Sequence, residues 1–162
     1  MNMIFKITAA CLLICCFACS KSNDMPLGAD AMESVKSETS IQAYLFAHNE
    51  VAERDPSGVY YRILTPGDSI HFPKPTSVVY VKYSYQLTTG AIVATSFDVT
   101  NFNNRQLKNH IPGWQIGLQK ISKGGKIRLY IPPALAFGSI GVPNVVPPDA
   151  ILISEVELVD IK

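Results

Sequence analysis

Cysteine, tryptophan and charge are all scarce in this chain, and each shortage excludes something. The four cysteines sit at positions 11, 15, 16 and 19, inside or at the end of an apolar leader. A metal held by Cys11, Cys15, Cys16 and Cys19 is disfavoured, because thiolates in such a leader would be removed with it and only Cys19 would stay. The net charge is +1, from 14 basic and 13 acidic side chains, and no basic cluster occurs along the chain. Nucleic acid therefore has no electrostatic footprint to bind. His48, His71 and His110 are isolated in sequence and read as solvated or incidental groups, not ligands. No local Ser-His-Asp arrangement suggests an activated nucleophile. Gly138-Ser139-Ile140-Gly141 lacks the strand-to-helix context of a phosphate loop. Internal repeats are absent.

What is present starts with the leader. Met1 to Lys6 carries one positive charge, and the apolar run Ile7 to Ala18 falls short of the roughly 20 residues a membrane-spanning helix requires. Ala18 then precedes Cys19. The segment 1–18 resembles a bacterial lipoprotein signal, in which the cysteine at the cleavage site is lipidated; an ordinary secretory signal is the competing reading. Ser20 follows Cys19 in place of the aspartate associated with inner-membrane retention, which points to a lipid-anchored envelope protein at the outer membrane. Residues 19–38 are rich in polar and small side chains without a period, and read as a flexible tether.

At 162 residues and 48% hydrophobic, the remainder suits one domain with a real core. Thr39 and Gln42 make a candidate capping box. Ile41, Tyr44, Leu45 and His48 follow at helical spacing, predicting an N-terminal helix within 39–55. Val59 to Leu64 reads as a strand closed by Thr65-Pro66-Gly67-Asp68. From Val79, Val81, Tyr83, Tyr85 and Leu87 share one face while Lys82, Ser84 and Gln86 share the other. Thr88-Thr89-Gly90 turns into a second strand, Ala91 to Thr95, and the asparagine-rich stretch 98–109 reads as a loop with an irregular edge strand.

The only tryptophan marks the centre. In Ile111-Pro112-Gly113-Trp114 a proline opens a short helix, with Trp114, Leu118 and Ile121 on one face and Gly124-Gly125 at its end. Lys126 to Ile131 then alternates Lys126 and Arg128 against Ile127, Leu129 and Ile131, as a half-buried strand does. A loop from Pro132 to Gly138, a proline-punctuated hairpin-like segment Gly141 to Pro148, and a closing strand from Ile151 complete the chain.

From about Ser57 onward the chain resembles FKBP-type peptidyl-prolyl isomerases. The resemblance rests on several separated motifs in order: Ser57-Gly58-Val59-Tyr60-Tyr61, Val81-Lys82-Tyr83, Leu87-Thr88-Thr89-Gly90, Ile111 to Leu118, Ile131 to Gly138, Val146 to Leu152 and Glu155 to Leu158. The helix ahead of Ser57 is similar to the N-terminal extension of secreted Bacteroidetes-type members. The resemblance implies an α+β fold over 57–162, an antiparallel sheet wrapped around one short helix, with the helical extension in front. It also implies rotation about X-Pro bonds in an apolar pocket, with proline-containing polypeptides and macrolides as ligands and no cofactor. Trp114 would floor the pocket, Tyr83 and Phe137 would wall it, Ile111 would offer its backbone N–H, and Val145 and Val146 would complete the rim.

Some positions depart from the family pattern. Val93-Ala94 stands where the family usually has Phe-Asp, Phe137 where it has tyrosine, and Ser154 where it has phenylalanine; Phe97-Asp98 offers the missing pair four residues on. Asn103 takes the place of an edge-strand aromatic, with Phe102 beside it. These changes predict a wider and more polar pocket, with Val93 and Ser154 among its substrate contacts. Trp114 and Tyr83 also have a purely structural reading as core residues. Two functions follow: an isomerase of reduced activity that assists folding of exported proteins, and a non-catalytic domain that binds proline-containing segments.

Overall fold

The computed structural model describes residues 28–162. The leader, Cys19 and the first part of the expected tether lie outside the described residues. Helix α1 spans Ala29–Ala47. Six strands follow as β1 Glu53–Arg54, β2 Tyr60–Thr65, β3 Val79–Leu87, β4 Ile92–Thr100, β5 Lys126–Ile131 and β6 Leu152–Ile161, with the short helix α2, Pro112–Leu118, between β4 and β5. They form one antiparallel sheet in the order β1-β2-β5-β6-β3-β4.

Alternation along the strands builds two separate cores. Ile127, Leu129 and Ile131 of β5 and Leu152, Val156 and Leu158 of β6 point toward α2, where they bury Trp114 and Leu118 with Val79 and Val81 of β3. The opposite face carries Tyr60, Tyr130 and Ile153, covered by Ile41 and Leu45 of α1. Helix α2 lies tight on the sheet because its own contact face is glycine: a Cβ on Gly113 would stand 2.5 Å from Ile131, and one on Gly117 would stand 2.5 Å from Leu129.

Expectations about three elements, α1, α2 and β4, are corrected. Helix α1 begins ten residues before Thr39, so 29–38 is helix and not tether; the strong helix formers Ala29, Ala31, Met32, Glu33 and Lys36 carry it, with Asp30 in the first turn. Thr39 is no cap. Its hydroxyl donates to the Val35 carbonyl at 2.9 Å, and Ser40 does the same to Lys36, which satisfies both inside the helix. Helix α1 then stops at Ala47, and β1 occupies 53–54. Helix α2 ends at Leu118, with Ile121 buried beyond it in a turn. Strand β4 runs on to Thr100, bulging so that Ser96 opposes Tyr83 while Thr100 opposes Val81; the extra residues at a bulge disguise the period.

Candidate active site

The site is built outward from α2. Pro112 takes the first helical position, where its missing N–H is no loss. The Ile111 carbonyl accepts from Trp114 N–H at 2.9 Å. Gln115 reaches back to clasp the incoming loop, donating from Nε2 to the carbonyls of His110 at 2.7 Å and Lys108 at 3.1 Å. The Ile111 backbone N–H donates to no group among the described residues, which leaves it available to a ligand carbonyl.

Trp114 is fully enclosed, at 0% exposure. Four rings close around it: Tyr83 edge-on at 5.3 Å, Tyr85 at 5.5 Å, Phe102 edge-on at 5.8 Å, and His110 stacked at 5.3 Å and 26°. Phe137 extends the cluster through Tyr85, ring to ring at 6.1 Å. Below, the indole N–H donates to Ser154 Oγ at 2.9 Å. The expected wider, more polar pocket is thus a closed aromatic box.

Ser154, expected among the substrate contacts, anchors the floor of the box through the indole N–H. It is 0% exposed. Strand β6 turns it inward directly opposite Tyr85, and its small side chain leaves the volume that the Tyr85 ring takes up. Desolvation there holds the Tyr85 phenol well above its ordinary pKa. Asn103 is exposed, and Phe102 supplies the ring instead. It does so from a left-handed backbone, φ 50°, in a run with Asn103 and Asn104. A bulky side chain in that region is costly.

Beside the box an open apolar groove of about 540 Å³ runs between the β3–β4 hairpin and the 140–148 loop, and Val93, Val145 and Val146 line it together. The structure therefore gathers Tyr83, Trp114 and Phe137 in one cluster and the three valines in its neighbour. At β4, Ala94 opposes Tyr85 and Val93 packs on the core, while Phe97 is 87% exposed. The loop is held by the bridge Val142–Val146 and by Gly141 at φ 68°, where any Cβ would meet the Val146 carbonyl.

His110, read from sequence as incidental, is the largest surprise of position. It is 8% exposed, its ring stacked on the indole and edge-on to Phe102 at 5.0 Å. Burial first, then the nearby Arg105 charge, pushes its pKa below the ordinary histidine value. A lone histidine in an asparagine-rich stretch carries no periodic signal, so only the fold could find it. Tyr85 lay on the expected core face but was not marked as part of the site.

An antiparallel sheet closed over one short helix, with an aromatic cluster seated on that helix, defines the FKBP-like class of α+β domain. Comparison with known proteins agrees. The family described as FKBP-type peptidyl-prolyl cis-trans isomerase matches residues 70–159. FkpA of Escherichia coli K12, an isomerase of that type by name, is 38% identical over 117 residues, which cover 72% of this chain and 43% of FkpA. FK506-binding protein 1 of Kluyveromyces lactis is 40% identical over 101 residues, 61% of this chain and 89% of that protein. The crystal structure of E. coli FkpA superposes with a TM-score of 0.69 at 33% identity, over 81% of this chain and 62% of FkpA. The chain belongs to the FKBP-type peptidyl-prolyl cis-trans isomerase family. The sequence match spans less than half the length of the FkpA relative.

Proposed function

We propose that this protein is a peptidyl-prolyl cis-trans isomerase of reduced activity, acting on proline-containing polypeptides during folding of exported proteins at the cell envelope. The carrying observation is the enclosed Trp114 box beside the free Ile111 N–H. Rotation about an X-Pro bond meets a barrier of about 18–20 kcal/mol and needs no nucleophile. An apolar site lowers it by stripping water from the amide and favouring the twisted over the planar form, while the Ile111 N–H holds the carbonyl.

Three features support reduced activity. A prolyl ring must displace a ring of the closed box to reach the indole, Phe137 has no hydroxyl to offer a ligand carbonyl, and Ala94 has no carboxylate. Restoring Ala94→Asp or Phe137→Tyr is expected to raise exchange catalysis on a short Leu-Pro peptide by about tenfold, the equivalent of about 1.4 kcal/mol. Exchange spectroscopy on the chain lacking residues 1–19 measures it. No catalysis in the parent and in both variants would promote the second reading, a binding module for proline-containing segments, which the open valine-lined groove favours. FK506, for which the yeast relative is named, should compete with the peptide.

Membrane attachment through lipid on Cys19, at the outer membrane, belongs to the same proposal and is supported by the apolar leader and Ala18. Fatty-acid labelling should mark the parent and not Cys19→Ala. Release of both, unlabelled, would defeat it.

A further inference from the structure

His110 carries a feature that the isomerase reading does not use. Its Nε2 is completely buried and has no hydrogen-bond partner among the described residues. Buried polar atoms are seldom left so, because an unpaired one forfeits the hydration it had in water. The atom belongs to a ring that forms one wall of the indole box, one residue before the free Ile111 N–H, on a loop clasped from both sides by Gln115.

Peptide chemistry says what such an atom would take. A proline residue has no N–H, so the backbone donors flanking the rotating bond belong to the residues before and after it, and the one on the prolyl side is the N–H of the residue that follows the proline. The imidazole of a neutral histidine has one nitrogen that can only accept. Adjacent residues of one rigid loop would then read both polarities of the substrate backbone: Ile111 donates to the carbonyl and His110 accepts the N–H. We propose that His110 is a substrate-contacting residue whose Nε2 accepts the backbone N–H that follows the proline once the box opens to admit the prolyl ring. This rests on the site being a proline-binding site.

The charges around His110 set the sign of its pH dependence. Arg105, on the loop before it, carries the charge that acts on the ring. Among the other rings of the box only Tyr83 and Tyr85 are titratable, and Lys108 in the preceding turn is exposed. Burial and the Arg105 charge disfavour the imidazolium and outweigh the Arg105 backbone, which favours it, so the neutral ring is the favoured form at pH 7. Protonation on acidification would convert the acceptor into a donor, and the contact would be lost as pH falls below the ordinary histidine range.

The test uses the whole chain in detergent and two Leu-Pro peptides, one with the amide after the proline and one with an ester there, which lacks the N–H. The parent is expected to bind the amide about fivefold to tenfold more tightly than the ester. His110→Phe, which keeps a ring against Trp114, should erase that preference, and His110→Gln, with an acceptor oxygen, should restore part of it. The amide preference of the parent should vanish at acid pH. An equal preference in the parent and in His110→Phe would overturn the proposal. Should His110→Phe fail to fold, the nitrogen chemical shift of His110 Nε2 in the parent decides: it should move on saturation with the amide peptide and not with the ester, and no movement with either overturns the assignment. Because these readouts report binding, absent exchange catalysis would defeat the isomerase reading alone, whereas absent peptide binding would defeat both.

Discussion

Trp114→Ala is expected to lose about 3–5 kcal/mol of folding stability, among the largest effects of any single truncation in this protein. The indole is fully enclosed by Tyr83, Tyr85, Phe102 and His110, and its N–H is bonded to Ser154. Alanine would leave a cavity on the helix that centres the sheet, surrounded by rings too constrained to collapse into it. Trp114→Phe separates the two contributions. It retains most of the apolar contact but strands the buried Ser154 hydroxyl, for an expected cost of about 1–3 kcal/mol. Urea unfolding followed by circular dichroism measures both. Because Trp114 is the only tryptophan, its emission in the parent should be that of an indole shielded from water, and should move on addition of a peptide that opens the box. A Trp114→Ala chain as stable as the parent would refute the enclosed-floor description.

Arg128→Met is expected to cost about 1–3 kcal/mol and to flatten the acid limb of the stability curve. The guanidinium joins two carboxylates from distant segments: Nη1 to Glu50 at 3.2 Å and Nη2 to Glu155 at 2.7 Å. Tyr130 donates to Glu50 as well, and Lys126 pairs with Glu155 at 2.6 Å. Glu50 lies just after α1, so the cluster ties the helix to the sheet. Burial pushes the Glu50 carboxyl up, but the Tyr130 hydrogen bond and Arg128 outweigh it and hold it below the usual carboxylate range; Lys126 and Arg128 do the same against burial for Glu155. Groups with depressed folded pKa values contribute stability that is present above about pH 4.3, the unfolded value, and lost as pH falls through the folded one. The parent should therefore weaken on acidification below about pH 5, and Arg128→Met should weaken less steeply. Urea midpoints across that range decide it, and parallel curves would refute the linkage.

Much of the architecture was legible because its signals are local. Alternation in Lys126 to Ile131 and in Val79 to Leu87 needs only the period of a strand, and Pro112 ahead of Trp114 needs only the chemistry of a helix start. The same period placed Ser154 on the inward face of β6. What it could not show is that the inward face at that point meets the indole N–H, so that Ser154 holds the floor. Tyr130 makes the complementary case. It stands on the charged face of β5, yet α1 covers that face and buries it.

The sequence by itself determined the strands and the central helix, since each depends on side-chain period or on turn residues within a few positions, and the grouping of Tyr83, Trp114 and Phe137 was implied by the resemblance of its motifs to a family. Only the tertiary structure decided that the box is closed. Tyr85 fills the space beside Ser154 across a strand pair, Phe102 reaches the indole from a left-handed turn, and His110 stacks on it from the clasped loop before Ile111. Those contacts join residues up to 40 positions apart, as Trp114 and Ser154 are, and no local pattern encodes a distance that only packing of the sheet onto α2 creates.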